Sequence, residues 1–381
     1  MNVSTGGRER PPALFYPLRF ILTARGGMTM FEFFQNERSV WQTLRDCGKP
    51  VVLYGMGDGA DKVLAAFERC GIQPAAVMAS DAFVRGQSFR GFRVQRLSAV
   101  EAQFGDFAVA LCFASQLPEV MDAIRAVAAR HPLTAPPVPP FGDVLFDDAF
   151  VAAHLREMQE AYALLADELS RRVYETVLRF YHTGDIALLD GVTTGKDEAF
   201  RSVLQLSGNE LYVDLGAYNG DTIDEFLHYT GGSYRKIVAL EPNAKNFAKL
   251  RAHCGGMENT ELWELGAWSR TDTLLFNNKA GRNSAIAGKG VATRVAAVDS
   301  ILCGAAASYI KADVEGADRE ALLGMAKTLR LFKPKLNLAA YHRFEDLFRL
   351  PLLLHALRPD YKIYLRHHPY IPAWDTNIYA V

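Results

Sequence analysis

The chain has 381 residues, of which 49% are hydrophobic and 22% charged; this balance excludes wholesale disorder and suffices for a sizeable core. At about 150 residues per domain, the length predicts two domains or three. Forty-two basic residues against 43 acidic ones leave a formal net charge of −1, so no global positive field exists to hold a nucleic acid, and no local basic stripe supplies one.

The N-terminal stretch from Ala13 to Leu22 resembles a signal h-region, but Arg19 interrupts it and Arg25-Gly26-Gly27 follows without a small-residue cleavage pattern. Met28 and Met30 are candidate starts, and residues 1–29 read as a flexible extension. No apolar run approaches the ~20 residues of a membrane span. The five cysteines (Cys47, Cys70, Cys112, Cys254, Cys303) are odd in number and widely spaced, with no Cys-x-x-Cys pair. They fit reduced thiols in a cytoplasm rather than a disulfide framework or a zinc site.

Residues 30–145 read as a small Rossmann-like α/β domain. An amphipathic stretch from Phe31 to Cys47 precedes a buried strand, Pro50 to Tyr54, which runs into Gly55-Met56-Gly57-Asp58-Gly59. A helix from Ala60 to Cys70, a strand from Ala75 to Met78, an apolar run from Asp106 to Phe113 and a helix from Leu117 to Arg130 complete the alternation of a parallel sheet. The Gly-rich loop follows a strand and opens a helix, so its backbone is a candidate phosphate cradle. Two readings stay open for it, a nucleotide or nucleotide-sugar site and a degenerate scaffold that binds nothing. Asp81 is the nearest acidic residue to the end of the second strand.

Five prolines between His131 and Phe141 end this domain, because such a segment cannot continue a helix or a central strand. From Asp148 to Tyr181, Leu155, Met158, Tyr162, Leu165, Leu169, Val173 and Val177 recur at helical steps. Residues 146–208 therefore read as a helical linker packed on both domains.

A second α/β domain is expected over residues 209–381. Its predicted strands are Leu211–Leu215, Lys236–Leu240, Thr260–Glu264, Tyr309–Ala312, Leu336–Ala340, Tyr361–Leu365 and Asn377–Val381, the last two forming an antiparallel pair that closes the sheet. The first strand ends at Asp214 and leads through Gly216-Ala217-Tyr218-Asn219-Gly220 into a helix starting at Asp221. Glycines at 216 and 220 permit torsions and close ligand approach that a Cβ would block. Glu241 ends the second strand 27 residues beyond Asp214, placed to accept hydrogen bonds from both hydroxyls of a ribose.

Three runs together, Asp214-x-Gly216-Ala217-x-x-Gly220-Asp221, Glu241-Pro242-Asn243 and Ile310-Lys311-Ala312-Asp313-Val314-Glu315-Gly316-Ala317-Asp318, resemble the FkbM-type methyltransferases, a branch of the class I S-adenosylmethionine-dependent enzymes. The resemblance covers roughly Glu210 to Val381. It departs at Asp318, where the family usually has Glu, and at Ala312, where a larger aliphatic is usual. It implies a class I methyltransferase-type sheet, mostly parallel with an antiparallel final strand. It implies S-adenosylmethionine as cofactor, with Asp214, Gly216, Ala217, Tyr218, Gly220 and Asp221 around the methionine moiety and Glu241, Pro242 and Asn243 at the ribose. Gly266-Ala267-Trp268 falls where such enzymes contact adenine, with core packing the rival reading for Trp268.

Asp313 and Glu315 follow the fourth strand, where substrate and catalytic groups usually stand. The rival reading has Asp313 capping the next helix and Glu315 in its first turn. Lys311 faces the other side of its strand or pairs with a carboxylate. Tyr341-His342 follows the fifth strand, and the resemblance has a Tyr-His pair there. A hydroxyl is a poor nucleophile, so a general base or a metal would help it. Asp313 and His342 are the catalytic candidates, as an oriented base or as ligands of a divalent ion, with Glu315, Lys311 and Tyr341 as substrate or supporting groups. No metal site is otherwise expected. His367-His368, adjacent on a strand, point to opposite faces and read as surface. Asn283-Ser284, in the Gly-rich segment from Ala280 to Gly290, reads as an exposed loop or a flap over substrate.

The expected activity is methylation of a hydroxyl on a carbohydrate or related secondary metabolite, in the cytoplasm, with neither nucleic acid nor membrane as partner. A nicotinamide-dependent oxidoreductase using the N-terminal glycines and a non-catalytic binding module with a retained fold are the rival classes.

Overall fold

A computed structural model describes residues 31–276 and 291–381. The N-terminal extension and the Asn283-Ser284 loop lie outside the described residues.

The first sheet contains β1 (Val51–Tyr54), β2 (Pro74–Met78), β3 (Ser88–Phe89), β4 (Phe92–Gln95), β5 (Ala108–Leu111) and β6 (Leu133–Thr134), in the order β3-β4-β2-β1-β5-β6. Strands β1, β2 and β5 are the apolar runs of the sequence, and they pair in parallel. The amphipathic stretch over Phe31–Cys47 forms two helices, Phe33–Asn36 and Val40–Asp46. Ser39 breaks it by starting the second helix with a reciprocal capping box to Gln42. The antiparallel pair β3–β4 and the helix Leu97–Phe104 carry no strong periodicity and are additions to the sequence reading.

The single helix expected from Asp148 to Tyr181 is likewise two, Asp148–Ala163 and Glu168–Thr183. Asp167 caps the second by accepting from the Ser170 N–H at 2.8 Å, which stops the first where the apolar spacing alone would carry it through. The second helix buries Val173, Val177, Phe180 and Tyr181. They join one apolar cluster that runs from Val52 and Val109 in the first sheet to Leu338 and Ile378 in the second. The helix is therefore the apolar bridge between the two sheets.

The second sheet is built from β7 (Leu211–Leu215), β8 (Lys236–Leu240), β9 (Thr260–Trp263), then, beyond a small side sheet of β10 (Gly266–Ala267), β11 (Asp272–Phe276) and β12 (Val291–Ala296), from β13 (Tyr309–Ala312), β14 (Lys335–Ala339), β15 (Ile363–His367) and β16 (Thr376–Ala380). Its order is β15-β16-β14-β13-β7-β8-β9. The final strand inserts antiparallel between β14 and β15, and every other pairing is parallel. This is the mostly parallel, class I methyltransferase-type sheet expected from the sequence. The side sheet was not foreseen.

A further expectation fails. His367 and His368 are buried, not surface. Residues 193–194 pair with the end of β15, so the strand is covered: Thr194 N donates to the His367 carbonyl, and the His368 ring bonds the Thr194 carbonyl and the Tyr379 hydroxyl at 2.9 and 2.7 Å. Burial pushes the His367 imidazole down to about 4. Both histidines are core hydrogen-bonders.

The Gly-rich loop after β1 shows what its glycines do. A Cβ on Gly59 would lie 2.2 Å from the Cys112 carbonyl oxygen, and one on Gly55 would lie 2.7 Å from the Phe113 ring. The glycines let the helix Asp58–Cys70 press against the end of β5. Gly59→Ala should lower unfolding free energy by about 1–3 kcal/mol, the usual cost of overpacking. Urea denaturation checks this, and an unchanged midpoint would show that the two segments are not in contact.

Candidate active site

Register places the first polar pair. Strand β13 lies beside β7 with Lys311 opposite Asp214, at the C-terminal edge of the sheet. Both side chains are buried, with the ammonium 3.3 Å from Asp214 Oδ1 and donating to the Gly216 carbonyl at 2.9 Å. Burial alone would lower the Lys311 pKa, but the charges of Asp214 and then Asp313 hold it above its ordinary value. Lys311 thus pairs with a carboxylate, one of its two expected placements. Asp214 Oδ2 accepts from the Thr222 hydroxyl at 2.5 Å, which ties the strand end to the first turn of the helix Asp221–Thr230.

Between them runs the loop 216–220. Gly216 has φ +81°, and its Cβ would fall 1.9 Å from the Asp313 carbonyl oxygen, so only glycine lets these two loops touch. Gly220, at φ +98°, passes equally close to His253 and Cys254. Ala217 is buried, and Tyr218 is half exposed at φ +47° with Lys249 over its ring. Asp221 stands exposed at the helix start.

Glu241, beyond β8, is buried and shaped by backbone donors: Oε2 accepts from Tyr218 N at 3.0 Å and Oε1 from Asn243 N at 2.8 Å. Burial raises its pKa despite those donors. A carboxylate offers about four lone-pair sites, so each oxygen keeps capacity for a ligand hydroxyl. Asn243 caps the next helix through its side chain, and Pro242 is exposed between the two. Gly266 approaches Pro242, with 3.7 Å from its Cβ position to the Pro242 Cβ. Ala267 is buried and Trp268 half-buried, its N–H donating to the Ala296 carbonyl at 2.9 Å. Gly266-Ala267-Trp268 therefore borders the Glu241 turn from the side sheet.

The second cluster lies beyond β13 and β14. His342 is buried, with Nε2 3.0 Å from Asp313 Oδ1 and Nδ1 2.8 Å from Asp318 Oδ2. The two catalytic candidates from neighbouring strand ends do converge. Burial by itself would lower the His342 pKa, but the charges of Asp318 and Asp313 outweigh it and hold the ring well above its ordinary value. Burial would raise Asp313, but the hydrogen bond and charge of His342, then Lys311, hold it well below the usual carboxylate range. The Tyr341 hydroxyl donates to Asp313 Oδ2 at 3.2 Å. Asp313 remains about one-third exposed, whereas His342 and Asp318 are buried.

Asp313 does not cap the following helix, and Glu315 is not in its first turn. That helix starts at Asp318, and Glu315 stands ahead of it at φ +54°, its carboxylate 3.8 Å from His342. Asp318 organises the loop instead, accepting from Val314 N and Gly316 N as well as from His342. Sequence reasoning treated it only as a departure from a family pattern. It also missed Asp346, buried beside Asp318 and accepting from Arg343 N at 2.9 Å, and Phe141, whose ring stands edge-on to His342 and whose N–H donates to the His342 carbonyl. Only tertiary contact reveals these three.

Asp318, His342 and Asp346 bring one donor atom each within 4.8 Å of one another. A His342 imidazolium, however, uses both ring N–H groups on carboxylates and keeps no lone pair for an ion or for an incoming proton. The geometry fits a charge-paired hydrogen-bond chain.

Residues 214–369 match the family described as "Methyltransferase FkbM domain". This part of the chain is similar to the methyltransferase domain of that family. The structure is similar to that of Methyltransferase FkbM from Methylobacillus flagellatus KT, with 22% identity and a TM-score of 0.67 over 90% of this chain and 92% of that one. A putative methyltransferase from Streptococcus mutans in complex with SAH (13% identity, TM-score 0.33, 49% of this chain and 97% of that one) is also similar in part. So is fibrillarin from Aeropyrum pernix with natively bound S-adenosyl-L-methionine (12% identity, TM-score 0.32, 49% of this chain and 73% of that one). No curated protein matches the sequence. No helix among the described residues is long and apolar enough to cross a membrane.

Burial, with the Asp318 charge beside it, pushes the Asp346 carboxyl up to about 8. Its unfolded value is about 3.9. The native state therefore holds a proton that the unfolded chain releases, and stability should fall as pH rises from about 4 to about 8. Asp346→Asn keeps the acceptor for Arg343 N and removes the titration. Melting temperature against pH should show a shallower fall for the variant in that window; an identical slope would refute the protonated carboxyl.

Proposed function

We propose that the chain transfers a methyl group from S-adenosylmethionine to a hydroxyl oxygen of a carbohydrate or related secondary metabolite. The observation that carries this reading is the pairing, on one sheet edge, of a glycine-lined loop facing buried Glu241 with an accessible carboxylate, Asp313, held beside it. The residues fit the cofactor: Gly216 and Gly220 let the loop pack down at the strand ends, Asp214 is held there beside Lys311, and Glu241 keeps lone pairs for a ribose. Asp214, Gly216, Ala217, Tyr218, Gly220 and Asp221 would line the methionine end, and Glu241, Pro242 and Asn243 the ribose. Gly266, Ala267 and Trp268 would border the base.

When bound, the cofactor supplies an electrophilic methyl group on a sulfonium. The chain supplies alignment and a place for the proton. Asp313, rather than His342, is the acceptor of that proton in this reading, because His342 already carries one and has no free nitrogen. A carboxylate with a depressed pKa is a weak base. The hydroxyl proton becomes strongly acidic as the new C–O bond forms, so a weak base positioned within hydrogen-bond reach suffices. His342, Tyr341 and Asp318 hold Asp313 in place.

The nicotinamide reading loses ground because Asp58 places a carboxylate at the helix start, where a dinucleotide phosphate would sit. A folded protein that binds S-adenosylhomocysteine yet labels nothing in a cell extract with methyl-labelled cofactor would favour the non-catalytic reading.

Two variants separate the roles. Glu241→Ala should weaken S-adenosylhomocysteine binding by about 1–3 kcal/mol in calorimetry, the range for hydrogen bonds to a charged group. Asp313→Asn should lower turnover about 10²–10⁴-fold while cofactor affinity barely moves. Unchanged affinity in the first, or near-normal turnover in the second, would sink the corresponding role.

A further inference from the structure

A cavity of about 290 Å³ lies where the C-terminal edges of the two sheets face each other. One wall is Asp58 and Gly59 beyond β1 and Phe113 beyond β5; the other is Tyr341 beyond β14 with Tyr370 and Trp374 from the β15–β16 connection. The first wall stands at the point where strand order reverses, since β1 lies between β2 and β5, and such points open a crevice at the strand ends. The two walls are fastened to each other: Ser115 and Ile371 exchange both backbone hydrogen bonds, at 2.8 and 3.0 Å. Tyr341 belongs to both sites, because its ring lines the cavity while its hydroxyl reaches Asp313.

The lining speaks to the chemistry of an occupant. Tyr370 and Trp374 form an aromatic pair, ring centroids 6.1 Å apart at 39°, and the negative faces of such rings attract the C–H edges of a saturated ring. Among the described lining residues the one cation is Lys62, and its ammonium donates to the Pro139 and Pro140 carbonyls at 2.8 and 2.5 Å. Asp58 places a carboxylate at the helix start, where a phosphate would otherwise sit. The Cβ directions of Gly55 and Gly59 are filled by Phe113 and the Cys112 carbonyl, and that of Gly57 is open.

We infer that this cavity between the sheets is the acceptor subsite, and that it takes an uncharged ring bearing hydroxyl groups and rejects phosphorylated or nucleotide-linked ones. The inference rests on the methyltransferase reading and adds to it the charge class of the acceptor and the use of the first sheet in binding it. Asp58 accepts a hydroxyl of the ring, Trp374 stacks on its face, and a further hydroxyl is presented past Tyr341 toward Asp313.

The test offers the full-length protein methyl-labelled S-adenosylmethionine with two pools, neutral alkyl and aryl glycosides and nucleoside-diphosphate sugars. Affinity for S-adenosylhomocysteine is measured on the same samples. Label is expected in the neutral pool. Trp374→Ala and Asp58→Asn should each raise KM for the neutral acceptor about tenfold or more, with cofactor affinity unchanged. Label confined to the nucleotide pool, label in neither pool, or an unchanged KM in both variants would overturn the inference while cofactor binding persists. Failure of the wild-type protein to bind S-adenosylhomocysteine would instead overturn the transferase reading, and this inference with it.

Discussion

The C-terminal half is organised around one of its buried cations. His342 lies between Asp313 and Asp318 with a carboxylate on each ring nitrogen. Removing one partner of a buried pair leaves a charge without solvation, which typically costs about 3–5 kcal/mol. The arrangement therefore resists rotation of any of the three side chains. Because Asp318 also holds Val314 N and Gly316 N, the loop after β13 is tied to the residue after β14. Asp313 inherits a fixed position from this histidine. A carboxylate on a free loop would lose conformational freedom each time it was held in one place, and the clamp removes that cost.

The same supersecondary unit, a strand, a glycine loop and a helix, occurs at the head of each sheet and ends differently. After β1, the space that glycine opens is occupied by Phe113 and the Cys112 carbonyl. After β7, Gly216 lets the loop touch the Asp313 backbone, while Tyr218 N turns back to Glu241. The glycines serve packing in both units, and in the second the loop rests on the Asp313 backbone while Tyr218 N reaches the Glu241 carboxylate. Glycine spacing is common to both, so the chemistry is decided by what the neighbouring strand presents: Phe113 in one case, Asp313 in the other.

That difference marks the limit of what the sequence makes legible. Long apolar strands such as Val51–Tyr54 and Leu211–Leu215 are unambiguous, since runs flanked by glycine turns have few other solutions. The convergence of Asp313 and His342 follows from the strand order, because β13 and β14 are parallel neighbours. Helix breaks at Ser39 and Asp167 escape a reading based on apolar spacing, which does not register a cap inside a periodic stretch. His367 and His368 escape it for another reason. Their burial depends on residues 193–194 crossing the strand, a contact between segments 174 positions apart. Asp346 escapes it because its burial depends on Asp318 and His342, brought beside it only by the fold.

The proline segment shows how a boundary in sequence becomes a joint in structure. Read along the chain, residues 131–141 end one domain because prolines forbid regular elements. In three dimensions the same stiffness makes a strap with little conformational entropy to lose. The Pro139 and Pro140 carbonyls, which no proline N–H can pair locally, accept from Lys62 of the first sheet's helix. One residue on, Phe141 donates its N–H to the His342 carbonyl, and its ring fills the space above Gly316. The first sheet thus bears directly on the backbone that carries the buried cation. The two sheets are coupled through the hydrogen bonds of the proline segment at this point and through apolar packing of the helix Glu168–Thr183 elsewhere. A site that requires both sheet edges to face each other at constant separation needs both forms of coupling, because packing alone permits sliding and a strap alone permits rotation.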